Sequence, residues 1–256
     1  MRIVIKIGTS TLAHPTGHLN IRRTEQLCTV ISDIKNAGHQ VIVVSSGAIG
    51  MGVGKLGLQK RPEDIPTKQA AAAVGQCELM YTYDKLFSQY HHTVAQLLIT
   101  GSDIEDPVRH DNFSNTLNRL LELGAIPIIN ENDTVATAEI VIGDNDTLAA
   151  IVAQSVRAEK LILLSDIDGL YTADPHSHPE AELIQVAHEI DDALLALGGA
   201  SCSGQGTGGM ATKLQAAKIC LDCGCDMVIA NGNRPENLYD IMSGNAVGTT
   251  FTRKRL

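Results

Sequence analysis

Two lysines stand where a chain can hold phosphate. Lys6 lies near the end of a short β-branched run, Arg2 to Ile7, and Gly8-Thr9-Ser10 follows at once. A glycine and two hydroxyls directly after a strand form a loop whose N–H groups can face phosphate oxygens. A competing reading puts Arg2, Val4 and Lys6 on the wet face of an edge strand. The second lysine closes Gly206-Thr207-Gly208-Gly209-Met210-Ala211-Thr212-Lys213, which leads directly into an apolar helix. Glycines let backbone N–H groups approach phosphate, the helix amino end adds positive potential, and Lys213 adds a full charge. The stretch from Ser201 to Gly209 is also composed like a flexible linker. A linker, however, does not require a lysine on the first turn of an apolar helix.

Two separated cradles, each with one lysine, suit phosphoryl transfer. An anionic acceptor must approach an anionic γ-phosphate, and two like unit charges about 4 Å apart repel by roughly 4 kcal/mol at an effective dielectric near 20. Lysines on either side of the moving group offset that repulsion and stabilise charge in the transition state. Aspartates can orient such lysines. Magnesium in such a reaction is held mostly by the nucleotide phosphates, with at most one or two protein carboxylates.

The acceptor side is richest in the middle of the chain. A strand over 126–130 runs into Asn130-Glu131-Asn132-Asp133, and Gly143-Asp144-Asn145-Asp146 follows ten residues later. Together they offer donors and acceptors for a small zwitterion. Asp144 and Asp146 also sit where a helix cap is needed ahead of Thr147-Leu148-Ala149, and one of them is expected to cap. Ser45-Ser46-Gly47-Ala48 ends another strand with residues small enough to let a ligand near the backbone. Ser165-Asp166-Ile167-Asp168-Gly169 ends a third, where Asp168-Gly169 reads equally as a turn.

Two tempting motifs carry little. Gly52-x-Gly54-x-x-Gly57 has dinucleotide-fingerprint spacing but begins several residues after its strand and runs into Leu58-Gln59-Lys60-Arg61-Pro62 rather than opening a helix. Cys220, Cys223 and Cys225 lie close together, but with no nearby histidine and no second Cys-x-x-Cys they read as structural thiols, Cys220 on an apolar helix face with Leu214 and Ala217.

The elements that must position these residues follow from a repeated switch of apolar period. Strands are expected at 2–7, 40–45, 93–99, 126–130, 160–165, 225–230 and 248–252. Helices are expected after an Asn20 cap to Gly38, from about Thr67 to Gln89, and over 112–123, 146–157, 211–223 and 235–242. Residues 135–142 look like a small β-excursion. Strands buried on both faces and alternating with helices predict a three-layer α/β/α sandwich with a mostly parallel central sheet. Ligands in such sheets sit beyond the strands' carboxyl ends.

Composition bounds the rest. The chain has 256 residues with 44% hydrophobic and 19% charged, an ordinary globular balance without a linker or repeat, so one domain is expected over 1–256. A net charge of −9 argues against holding nucleic acid or an anionic membrane by bulk charge. Aromatics are only 3% with no Trp, which leaves no stacking platform for single strands. No apolar run approaches the ~20 residues of a membrane span and the amino terminus is too short in apolar residues for a signal peptide, so a cytosolic chain with reduced thiols is expected.

Lys6-x-Gly-Thr-Ser10, Ser46-Gly-Ala48, Ile129-Asn-Glu-Asn-Asp133, Gly143-Asp-Asn-Asp146, Gly169-Leu-Tyr-Thr-Ala-Asp-Pro175 and Gly206-Thr-Gly-Gly-Met-x-Thr-Lys213, in that order, resemble the glutamate 5-kinases of the amino-acid kinase superfamily. The resemblance covers nearly the whole chain. It implies transfer of the γ-phosphoryl group of ATP, with Mg2+, to the side-chain carboxylate of L-glutamate, giving glutamyl 5-phosphate and committing glutamate to proline synthesis. It implies ATP contacts at Lys6, Ser165, Asp166 and from Thr207 through Gly208, Gly209, Met210, Ala211 and Thr212 to Lys213. Glutamate contacts fall at Ser46, Asp133 and Asn145. Lys6 and Lys213 would stabilise the transferring group and Asp146 would hold them, with no covalent enzyme intermediate. The family is often inhibited by proline and commonly forms dimers or tetramers. Many members carry a further PUA domain, for which this sequence has no room after Thr252-Arg-Lys-Arg-Leu256. Another acceptor (aspartate, N-acetylglutamate or a nucleoside monophosphate) and a catalytically silent glutamate or proline sensor are the alternatives. Retention of both lysines argues against the sensor.

Overall fold

The computed structural model describes residues 1–14, 16–135, 144–175, 177–198 and 209–253. The expected β-excursion at 135–142, apart from Val135, and the sites at Thr207 and Gly208 lie outside these residues.

Strand β1 (Arg2–Ile7) leads into a single-turn helix α1 (Thr9–Leu12), then α2 (Ile21–Asn36), β2 (Gln40–Ser45), α3 (Ala48–Lys55) and α4 (Ile65–Ser88). Next come β3 (Val94–Ile99), α5 (Gly101–Glu105), α6 (Pro107–Glu122), β4 (Ile126–Glu131), α7 (Asn145–Ser155) and β5 (Lys160–Ser165). The chain continues with β6 (Val186–Ala187), α8 (Asp192–Leu197), α9 (Met210–Cys223), β7 (Asp226–Asn231), α10 (Asn237–Met242) and β8 (Thr249–Phe251). The sheet order is β3-β4-β2-β1-β5-β7-β8-β6. Every pairing is parallel except β7 with β8.

β1 is therefore central, paired with β2 on one side and β5 on the other. The edge-strand alternative for Arg2, Val4 and Lys6 is overturned, because all of β1 beyond Arg2 is buried. Side chains alternate across the sheet. Ile3, Ile5 and Ile7 join one core with Leu27 and Ile31 of α2, Leu79 and Tyr83 of α4, and Leu238 of α10. Val4 joins the other core with Leu117 of α6, Leu148 and Val152 of α7, and Leu214 and Ala217 of α9. These are the three expected layers. By the same alternation Lys6 points to the α6–α7–α9 side, at the strand's carboxyl end.

The chain moves leftward from β1 through β2 and crosses to the right side of β1 only at β5. Its direction thus reverses beside β1, where open α/β sheets bind ligands. Local caps fix the helices that meet there. The Asn20 side chain accepts from Arg23 N at the start of α2. Asp144 accepts from the N–H groups of Asp146 and Thr147 at the start of α7. Gly224, left-handed at φ 78°, ends α9.

Several boundaries differ from expectation. The long helix begins at Ile65 because Asp64 caps it, its side chain accepting from Thr67 N. The helix expected over 112–123 begins at Pro107, capped by Asp106. The loop expected after β1 is the turn of α1. Of the glycines with fingerprint spacing, Gly52 and Gly54 lie in helix α3, packed on α4, and Gly57 follows its end. A Cβ at Gly52 would lie 1.8 Å from Ala71 O, and one at Gly75 would lie 1.7 Å from Ala48 O. Those glycines let two helix backbones touch; they do not cradle a dinucleotide.

Candidate active site

β1, α7 and α9 bring their polar ends to one point. Lys6 Nζ lies 2.6 Å from Asp146 Oδ1, and Lys213 Nζ lies 3.1 Å from Asp146 Oδ2. Thr212 Oγ1 donates to the same Oδ2 at 3.0 Å. Lys6 is 8% exposed, Lys213 4% and Asp146 0%, so the cluster is buried. Burial acts to raise the Asp146 pKa, but the two lysines outweigh it and hold the carboxyl at about 2. Two ammonium groups on one carboxylate leave a surplus positive charge in a place shielded from water. Such a surplus calls for an anion.

Hydroxyls and backbone supply the surroundings. Gly209 caps α9 without a side-chain acceptor, so the first N–H groups of a fourteen-residue helix are free of a side-chain cap. Met210, Ala211 and Thr212 form its first turn, ahead of Lys213. Gly8 sits against β5, its N–H donating to Leu164 O at 3.2 Å. Ser165, at the end of β5, donates to the exposed Asp166 at 3.0 Å. Asp168 accepts from Asn231 Nδ2 at 2.8 Å, a strand-end tie rather than a free turn.

The acceptor residues form a second, neutral arrangement next to the first. Asn145 Nδ2 donates to Ser46 Oγ at 2.8 Å, to Asn130 Oδ1 at 3.0 Å and, at longer range, to Ser45 O at 3.4 Å. Asn130 Nδ2 donates in turn to Gln76 Oε1 at 3.0 Å. Asn145 precedes Asp146 in the chain, so this amide relay joins the lysine cluster by one peptide bond. Gly47, left-handed at φ 101°, makes the turn from Ser46 into α3.

Acidic residues flank the relay in the chain: Glu131 follows Asn130 at the end of β4, and Asp144 precedes Asn145 at the start of α7. Burial raises the pKa of Asp133, against the pull of Arg61. Burial first, then Asp133 and Asp144, push Glu131 up to about 7. Burial also raises Asp144, offset in part by its bonds from Thr147. Asp133 thus lies among these acids, while Ser46 and Asn145 lie on the relay. Cys220 and Cys225 are buried and Cys223 exposed. The hydrogen bond with the Cys225 thiol first, and burial after it, push the Cys220 thiol pKa up. No group of three metal-ligating side chains occurs among the described residues.

Sequence reasoning passed over Gln76. Its signal was periodicity: Ala72, Gln76, Leu79, Tyr83 and Leu86 form the inward stripe of α4, and Gln76 is its one amide. A buried amide in a mostly apolar stripe needs a partner.

Residues 1–231 match the amino acid kinase family. The chain is 50% identical to the glutamate 5-kinase of Clostridium perfringens (strain 13 / Type A), over 99% of this chain and 96% of that one. It is 52% identical to the glutamate 5-kinase of Caldanaerobacter subterraneus, over 98% of this chain and 68% of that longer protein. Among solved structures, carbamate kinase from Giardia lamblia bound to AMP-PNP superposes with a TM-score of 0.71 at 14% identity, covering 99% and 98% of the two chains. Isopentenyl phosphate kinase of T. acidophilum gives 0.69 at 18%, covering 98% and 100%. At those identities the structural likeness speaks to the fold. With the family match over residues 1–231 and half-identical relatives along nearly its whole length, the chain belongs to the amino acid kinase family.

Proposed function

We propose that this chain transfers the γ-phosphoryl group of ATP to the side-chain carboxylate of L-glutamate, giving glutamyl 5-phosphate, the first step of proline synthesis. The observation that carries the chemistry is the buried pair of lysines on Asp146, with its surplus positive charge. The choice of acceptor rests on the half-identical glutamate 5-kinases.

A glutamate side chain is already ionised at neutral pH, with an ordinary pKa of about 4.3. Its oxygen attacks the γ-phosphorus, the bond to the β,γ-bridging oxygen breaks, and ADP leaves. No general base is needed. Lys6 and Lys213 spread the charge of the transferring group, and Asp146 holds both ammonium groups in place. Ser46, Asn145 and Asp133 bind glutamate. Lys6, Ser165, Asp166 and the stretch from Thr207 to Lys213 bind the nucleotide. Asp146 is already committed to two lysines, which suits a Mg2+ carried in on the ATP phosphates. Proline, an amino acid of similar head group, is the inhibitor expected at the glutamate site. A dimer or tetramer in the cytosol is the expected setting.

The test is ADP release from MgATP with L-glutamate, L-aspartate, N-acetylglutamate and UMP in parallel, with hydroxylamine to trap an acyl phosphate. Release with glutamate alone, plus glutamyl hydroxamate, is expected. Binding of glutamate and ATP without release would point instead to a sensor.

A further inference from the structure

The relay has a direction, and its direction leaves something over. Ser45 O can only accept, so Asn145 must present Nδ2 to it. That nitrogen then faces Asn130 through Oδ1, which turns Asn130 Nδ2 toward Gln76 and forces Gln76 to offer Oε1. Reversing any one amide sets two like groups against each other. Gln76 Nε2 is therefore left at the end of the relay as a donor. It has no partner among the described residues, in a side chain whose residue is only 8% exposed. A buried amide nitrogen without an acceptor is a cost that a fold seldom keeps without a use.

We propose that Gln76 determines acceptor specificity by donating from Nε2 to the carboxylate of the acceptor that does not react. This rests on the reading of the site as an amino-acid kinase acting on a dicarboxylate. The reacting carboxylate must lie at the Lys6–Lys213 end, because only there does surplus positive charge meet a phosphoryl group. Gln76 stands at the other end, two hydrogen bonds of about 3 Å each from Asn145. An N–H pair takes an oxygen, not an ammonium, so of the two groups on the α-carbon the carboxylate belongs here. The acidic Glu131, which follows Asn130 on β4, and Asp133 beyond it suit the ammonium.

The experiment removes each half of the contact in turn. Gln76→Glu keeps an oxygen for Asn130 Nδ2 and loses the spare donor; 4-aminobutyrate is L-glutamate without its α-carboxylate. Calorimetric dissociation constants are measured for both ligands with the unaltered chain and the variant. Loss of a hydrogen bond to a charged group is expected to weaken L-glutamate roughly 10- to 100-fold. Binding of 4-aminobutyrate and the KM for ATP should barely change, so the preference for glutamate narrows by the same factor. Gln76→Met, which adds no charge, repeats the comparison if the first variant folds poorly. Equal weakening of both ligands, or none of either, would overturn the proposal by making Gln76 a packing residue. Glutamate-dependent ADP release by the unaltered chain tests the reaction separately.

Discussion

At the lysine end of the site, one carboxylate answers two ammonium groups and a hydroxyl. At the acceptor end, four neutral side chains pass hydrogen bonds from one to the next and finish on an unused donor. The lysine end is buried and the acceptor end partly so, and, Gln76 within α4 apart, both hang on strand ends and helix starts. They differ in what burial costs. A bare charge in the interior is expensive, so Lys6 and Lys213 are held in place before any ligand arrives. A neutral amide costs less, so the relay can keep a group unspent for a substrate to complete. The charged end is built to stabilise a transition state, the neutral end to recognise a molecule.

Asp146→Ala should break the comparison most severely. It strands two buried ammonium groups, and loss of one member of a buried ion cluster costs about 3–5 kcal/mol. Urea unfolding reads this; a loss under 1 kcal/mol would mean that solvent reaches the lysines freely. Lys213→Ala leaves Lys6 on Asp146, so the fold should survive better than in Asp146→Ala, while kcat falls about 100- to 1000-fold.

A smaller effect is expected on the acceptor side. Asp133→Ala should raise the glutamate KM roughly 10-fold or more, the scale of one charged hydrogen bond, and leave the ATP KM near its starting value. The reverse pattern would move Asp133 to the nucleotide. The smallest effect is in pH dependence, where the two ends have opposite signs. The depressed Asp146 adds stability that is present above its ordinary pKa of 3.8 and is lost as pH falls through about 2. Glu131, raised from 4.5 to about 7, adds stability below 4.5 that is lost as pH rises through about 7. Glu131→Gln should therefore flatten unfolding free energy between about pH 4.5 and 7 without altering the acid limb.

The strands were legible because β-branched runs between helical stretches leave few other readings, and their order along the chain implied a parallel sheet. The charged end was legible too. A lysine near the end of a strand and a lysine on a helix's first turn are local patterns, and the site brings both to Asp146. What sequence could not show depends on contacts across the fold. Helix α3 carries three glycines, at 50, 52 and 54, and glycine disfavours helix by roughly 1 kcal/mol each relative to alanine. Close packing on α4 outweighs that preference, as the Gly52 and Gly75 approaches make plain. The short elements α1, α5, α8 and β6 are too brief to carry a period. Gln76 reads as an ordinary helix former until Asn130, 54 residues away, is seen beside it.

Steady-state kinetics of Lys213→Ala and Asn145→Ala, taken side by side with glutamate and ATP each varied, test the division most directly. Asn145 joins Ser46 to Asn130, so its loss should raise the glutamate KM with a modest change in kcat. Loss of Lys213 should lower kcat with little change in the glutamate KM. If Asn145→Ala instead lowers kcat alone while Lys213→Ala raises only the glutamate KM, the two ends have been assigned the wrong way round.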